Sequence, residues 1–457
     1  MKIRPRYSNP KFRFVPHKNL RHRLATDRTE YHLTANDRRG TVDEVHADTM
    51  LQRSPYPPGD FQRGVHTTLL GEFRDFQFQQ STNGNETAEL VPLRIPNETR
   101  TVIPIEKSGL TLRTSNGRVY QPGVYFIEDM AQCEIPLMHQ FPGDTFPFFL
   151  EWRDVKQHRP IYQGDFLAVF GETLPTNMKL QRNPGKGDKW ELDLGLRAYR
   201  IDPGLGDICV QATEDNLVLS LIIRPSIQER TEAKRAINDP REVNDRLSED
   251  WIKTMQERRT FDDYMREYHM ESRFPFQDLV RLQLLRYGNE QSVYFGIDAL
   301  IERENQILSL RRFGDECRHF DYHFGSRREA LFGSIRRLVP GVVITDMVLQ
   351  RMALEPILHK ILPLESFTNY HLVSLDHVQF MMPMNPNGIG AVKLTNPKIL
   401  PSLTREGYYQ VKADQALVIN MRNTRKLDTL DGSLGNIRPQ STSAIITNPV
   451  LEIGPPV

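Results

Sequence analysis

Between residues 65 and 224 the apolar positions come in short runs separated by turn dipeptides, a pattern that predicts strands rather than helices. Residues 110–113 and the pair Val119 and Tyr120 flank Ser115-Asn116-Gly117, where Asn-Gly supplies the positive φ angles of a tight primed turn, so a hairpin is expected there. A second hairpin is predicted over 178–201. There Pro184-Gly185-Lys186-Gly187-Asp188 joins two strands, and Trp190, Leu192, Leu194 and Leu196 alternate with polar or small residues. Residues 217–223 read as a buried strand, and Asn83-Gly84-Asn85 reads as a loop tip.

From Asp239 onward the period lengthens. Asp239, Pro240 and Glu242 form a helix-start signature, after which Leu247, Trp251 and Met255 recur every four residues. Helices are expected after Thr260 and Asp263, over 276–287 with a stop at Gly288, and over 326–338 and 346–361, the last two separated by Pro340-Gly341. A longer helix over 292–312 would put Val293, Ile297, Leu300, Ile301, Ile307 and Leu308 on one face. Beyond residue 363 the strand pattern returns, at 371–382, 390–394, 408–422 and 443–453. No internal repeat or low-complexity tract is found.

The order arm, β, α, β gives an α+β class: a β-rich body, sandwich or jelly-roll-like, with a helical insertion and an extended N-terminal arm. The expected boundaries are 1–64 for the basic arm, 65–225 for the first β-rich segment, 226–363 for the helical block and 364–457 for a second β-rich segment packing with the first.

Charge changes this picture at the N-terminus only. The chain of 457 residues carries 59 Lys and Arg against 58 Asp and Glu, so attraction to a polyanion must come from local excess. Such an excess exists before Asp27, where Lys2, Arg4, Arg6, Lys11, Arg13, Lys18, Arg21 and Arg23 meet no acid and are interleaved with Tyr7, Phe12 and Phe14. Pro5, Pro10 and Pro16 oppose a helix there, which argues against an organellar transit peptide, and no apolar secretory signal is present. These eleven basic and aromatic side chains are the candidate contacts to nucleic acid or to a neighbouring subunit. Three cysteines, Cys133, Cys209 and Cys317, cannot close a disulfide framework and suit a reducing compartment. No apolar run is long enough to span a membrane.

Searches for chemistry return little. His319 and His323 within 315–323 have a spacing that zinc can use, but Arg318, Arg327 and Arg328 crowd them. The glycines around Lys186 precede a strand, whereas a phosphate loop must precede a helix. Cys133 with Glu134 and His139 matches no nucleophile turn, and no Gly-x-Ser-x-Gly elbow occurs. Neither a cofactor, a metal nor a catalytic residue is therefore expected.

A basic, proline-punctuated arm followed by a β body resembles the general plan of many viral capsid proteins. That resemblance implies a non-enzymatic structural protein of the capsid or minor capsid kind, located in the virion or inside the host. Its partners would be copies of itself, other shell proteins and genomic nucleic acid. The alternatives are a nucleic-acid-binding subunit of a ribonucleoprotein and an uncharacterised enzyme.

Overall fold

The structure is a computed structural model, which describes residues 12–16, 31–36, 42–46, 67–82, 85–104, 112–113, 119–121, 127, 130, 137, 140–142, 145–158, 161–162, 166–183, 187–202, 209–225, 277–279, 281–282, 296–303, 306–312, 341–382, 389–420 and 442–456. The body is β-rich, as expected. It divides into two compact units: residues 1–112, 118–225 and 321–327 form one, and residues 113–117, 226–320 and 328–457 form the other.

In the N-terminal unit, the strand Phe166–Arg182 pairs antiparallel with Lys189–Asp202, with Leu180 opposite Trp190, so the hairpin expected over 178–201 is present and its first strand begins earlier. Lys189–Asp202 pairs in turn with Cys209–Pro225, which contains the strand expected at 217–223 and pairs with Thr145–Lys156. The alternation read from Trp190 onward becomes a buried face here. Leu192 faces Leu221, Leu194 faces Leu219 and Leu196 faces Leu217 across the ladder, and all six are buried. Cross-strand apolar pairs of this kind fix the register, because a slip by one residue would turn the whole set to solvent. Phe78, Phe141 and Trp190 close one end of that face through edge-to-face contacts of 4.9–6.3 Å. Phe73–Thr82 and Asn85–Pro96 pair antiparallel, with Thr82 opposite Asn85; Asn83 and Gly84 of the expected loop tip fall outside the described residues.

The C-terminal unit is organised round one helix. α1, Gly341–Ala353, has twelve of its thirteen residues buried, from Val342 to Ala353. A helix buried on all sides belongs to an interior, not to a solvated surface. It lies against the strands Tyr370–Phe380, Ile389–Thr395, Tyr409–Lys412, Gln415–Asn420 and Val450–Ile453. A second short helix, α2 (Glu355–Leu358), continues from it, with Pro356 in its first turn.

The sheet round α1 is bent along one line. Ile389–Thr395 and Lys398–Pro401 are two parts of one strand run, broken at Asn396-Pro397; Tyr409–Lys412 and Gln415–Asn420 are broken at Ala413-Asp414, and Thr442–Thr447 and Val450–Ile453 at Asn448-Pro449. The breaks sit side by side. Asn396 Nδ2 donates to Asp414 Oδ2 (2.8 Å), the Asn448 amide donates to the Asp414 carbonyl (3.1 Å), and Asn448 Nδ2 donates to Asp376 Oδ2 (2.8 Å). Asn396 and Asn448 have φ of 49° and 47°, a left-handed conformation that Asn tolerates better than most side chains.

Part of the expected helical block is sheet. Residues 299–303 and 306–312 form an antiparallel hairpin, with Ile301 opposite Leu308, where one helix over 292–312 was expected. Leu300 and Ile301 are both buried, as are Leu308, Ser309 and Leu310. A strand covered on both faces shows no period of two, so its apolar positions can mimic a helical stripe. The helix expected from residue 346 begins instead at Gly341, directly after Pro340. The remaining helical expectations between 239 and 338 fall outside the described residues, apart from a helical stretch over 277–279 and 281–282.

Candidate buried acid site

Among the described residues the acids Asp193, Asp346, Glu355 and Glu452 are buried. Asp193, in the N-terminal unit, sits beside the bulge between Leu174 and Lys179. It receives hydrogen bonds from Arg153 (2.5 Å), Ser220 Oγ (2.7 Å), Asn177 Nδ2 (3.3 Å) and Thr176 Oγ1 (3.5 Å). The Arg153 guanidinium and the three neutral donors hold the carboxylate in place. Asp193 ties its own strand to three others, those of Arg153, of Thr176 and Asn177, and of Ser220.

Glu452 does similar work in the C-terminal unit. Ser402 Oγ donates to it at 2.5 Å, Arg405 at 3.3 Å and Thr404 Oγ1 at 3.4 Å, while His371 Nε2 lies 3.3 Å away across the strand pair. Arg405 also stacks 3.7 Å over the Tyr408 ring and donates to its hydroxyl. Burial pushes His371 below its ordinary value; Glu452 pulls it back up and Arg405 adds to the lowering. The group pins the turn between Lys398–Pro401 and Tyr409–Lys412.

Asp346 is different in kind. It lies in the middle of α1, 1% exposed, and Gln350 one turn later donates Nε2–H to its Oδ2 over 2.8 Å. The Gly296 amide donates to Gln350 Oε1 over 2.7 Å, so the amide is anchored at both ends and the carboxyl plane is set by it. Gly296 can approach this closely because it has no side chain: a Cβ there would lie 3.0 Å from both Cα and Cγ of Met347. Farther along α1, Arg351 and Glu355 form a buried ion pair of 2.7 Å, and Arg351 also donates to the Ile307 carbonyl at 3.4 Å.

The reading of the sequence passed over Asp346 and Gln350, and it missed a repeat that contains them. Pro340-Gly341-Val342 is followed by Asp346 and Gln350; Pro122-Gly123-Val124 is followed, at the same spacing, by Glu128 and Gln132. The two eleven-residue stretches share Pro-Gly-Val, an acid and a Gln. The statement that no internal repeat exists is corrected accordingly. The signal is short and is invisible to a search for long periods.

Of the arm residues proposed as contacts, Phe12, Arg13 and Phe14 lie in the strand Phe12–Pro16, which pairs with Tyr31–Asn36. Lys2, Arg4, Arg6, Tyr7, Lys11, Lys18, Arg21 and Arg23 fall outside the described residues, as do His319, His323, Cys133 and Cys317. Among the described residues no helix is long and apolar enough to cross a membrane.

No protein-family model matches the chain, and no curated protein does. Solved structures with a similar arrangement are dehydratases. A MaoC domain protein dehydratase from Chloroflexus aurantiacus J-10-fl shares 11% identity, with a TM-score of 0.36 over 73% of this chain and 82% of that one. The dehydratase domain of RzxB from Pseudomonas fluorescens shares 10%, with a TM-score of 0.38 over 78% and 97%. The dehydratase domain from the CurF module of curacin polyketide synthase shares 8%, with a TM-score of 0.35 over 84% and 98%. These neighbours are enzymes and not shell proteins. The expectation of a non-enzymatic capsid or minor capsid protein is corrected by that finding.

Proposed function

We propose that the chain is an enzyme that moves protons at a buried carboxyl group, with Asp346 as the acid–base residue and Gln350 as the residue that positions it. The observation that carries this reading is the chain of hydrogen bonds from the Gly296 amide through the Gln350 side chain to Asp346, at the centre of a helix enclosed by sheet. A carboxyl group held in a fixed orientation inside an enclosed site is the kind of group that general acid–base catalysis uses.

Elimination or addition of water is a reaction that one such carboxyl group can serve. Asp346 as carboxylate would take the proton from the carbon next to a carbonyl. The same proton, returned to the hydroxyl on the next carbon, lets that hydroxyl leave as water and a carbon–carbon double bond form. Atoms and charge balance without a metal or redox partner. A β-hydroxy carbonyl compound, whose C–H the carbonyl acidifies, is the simplest substrate.

The test is turnover of 3-hydroxyacyl thioesters of several chain lengths by the full chain, followed by the absorbance of the conjugated double bond. Asp346→Asn should lower kcat by about 10²–10⁴-fold, the usual contribution of a positioned acid–base, with an unchanged circular dichroism spectrum. A D346N protein as active as the wild type sinks the reading.

A further inference from the structure

We infer that Lys393 is a nucleophilic amine that accepts an acyl group from a long-chain acyl thioester, the acyl chain then lying along Leu417 and Ile445. Lys393 stands in the strand Ile389–Thr395 between two apolar neighbours: Leu308 is opposite it on one side and Leu417 on the other, and Ile445 is opposite Leu417. These four positions make one row across four strands. Side chains at paired positions of adjacent strands are neighbours on one face of the sheet.

That face is the one away from α1. Phe380, Ala444, Val418 and Val392 form the adjoining row, and a Cβ on Gly341 of α1 would lie 2.6 Å from the Phe380 ring, so the adjoining row turns to the helix. Successive residues of a strand point to opposite faces, which turns the Lys393 row outward. Leu308 is buried, whereas Lys393, Leu417 and Ile445 are half-buried. Two residues along their strands, Leu310, Ala391 and Ile419 make a fully buried apolar row; in the other direction Thr395 and Gln415 are polar and half-buried. Lys393 therefore sits where an apolar floor comes out to solvent.

A lysine at such a border ordinarily lays its stem on the floor and gives its head to water or to an acid. Lys189, in a strand of the N-terminal unit, meets Glu191 in this way. Among the described residues Lys393 has no hydrogen bond or ion pair. Desolvation pushes it below its ordinary value of 10.5, so a larger share is free amine, the form that attacks a carbonyl. The amine nitrogen bonds to the thioester carbonyl carbon, the carbon–sulfur bond breaks, and one proton of the nitrogen leaves with the thiol. The product is an uncharged amide, better suited to the row than an ammonium group. Leu417 and Ile445 lie one and two strands away, about 5 and 10 Å, a span that an octanoyl chain covers and an acetyl group does not. Asp346 lies in α1, on the other side of the sheet, and takes no part in this step.

The experiment incubates the full chain with the octanoyl or the acetyl thioester of N-acetylcysteamine over a series of pH values and quantifies acylated lysines by peptide mass spectrometry. Lys398, exposed on the following strand, is the internal reference. Lys393 should be acylated faster than Lys398, with a larger excess for octanoyl than for acetyl, and its initial rate should level off below pH 10.5. Leu417→Ser keeps the amine and removes part of the floor, so the octanoyl rate at Lys393 should fall toward the acetyl rate. Ile445→Thr makes a smaller change on the same strip and serves if the first variant does not fold. Lys393→Arg should lose the excess acyl group and leave labelling of Lys398 as it was. Equal rates at Lys393 and Lys398 overturn the inference, and so does a rate at Lys393 that ignores chain length.

Discussion

Arg351 and Glu355 face each other one turn apart across the junction of α1 and α2, 2.7 Å between charged atoms, with side chains only 2% and 3% exposed. Breaking a buried pair leaves one charge without compensation, and this costs more than the pair contributes. Arg351→Met alone, or Glu355→Leu alone, should destabilise the protein by about 3–5 kcal/mol. The double substitution should recover much of that loss. Urea unfolding of the three variants measures both, and equal losses in single and double variants would contradict the account.

A second prediction concerns acid stability. His371 has its folded pKa below the ordinary 6.5, so the unfolded chain binds a proton more readily than the folded one. Stability from this residue is present above about pH 6.5 and is lost as pH falls below it, through the folded pKa. Replacing His371 by Asn should flatten the fall of the thermal midpoint over that window, and an unchanged slope counts against it.

Gly296 gives a third. An added methyl group would press on the backbone of α1 at Met347, and overpacking of this kind costs about 1–3 kcal/mol. The same shift moves the amide that holds Gln350. Gly296→Ala should therefore lower kcat beyond what its stability loss explains, as seen by assaying well below its melting midpoint; full activity there would separate Gly296 from the site.

The arm supplies the fourth. Deletion of residues 1–23 should leave the thermal midpoint within a few degrees of the full-length value, since Pro5, Pro10 and Pro16 make this stretch a poor donor to any central strand. We propose that its loss is felt in binding: retention on an anionic polymer should fall and become less dependent on salt. A truncated chain that fails to fold would reverse the prediction.

How much could be read from the sequence depended on whether a signal was local. The hairpin between Phe166–Arg182 and Lys189–Asp202 was legible because its turn residues and the alternation from Trp190 to Leu196 agree. The hairpin of Ala299–Arg303 with Gln306–Arg312 was not, because burial on both faces erases alternation. Pro340-Gly341 was recognised as a break, and it proved to be the start of α1. Asp346 and Gln350 were illegible for another reason: an acid and an amide four apart occur on many helices. Only the recurrence after a second Pro-Gly-Val separates this pair from an ordinary one.

The crease through Asn396, Asp414 and Asn448 ties the lengths of neighbouring strands together. A residue deleted on one side of Asn396-Pro397 moves that strand's bend away from the bends beside it, while a substitution on either side does not. Descendants of this chain are thus free to vary the chemistry of these strands but not, one at a time, their residue count. Divergence here should accumulate as exchanged side chains, with insertions confined to the ends of the strands.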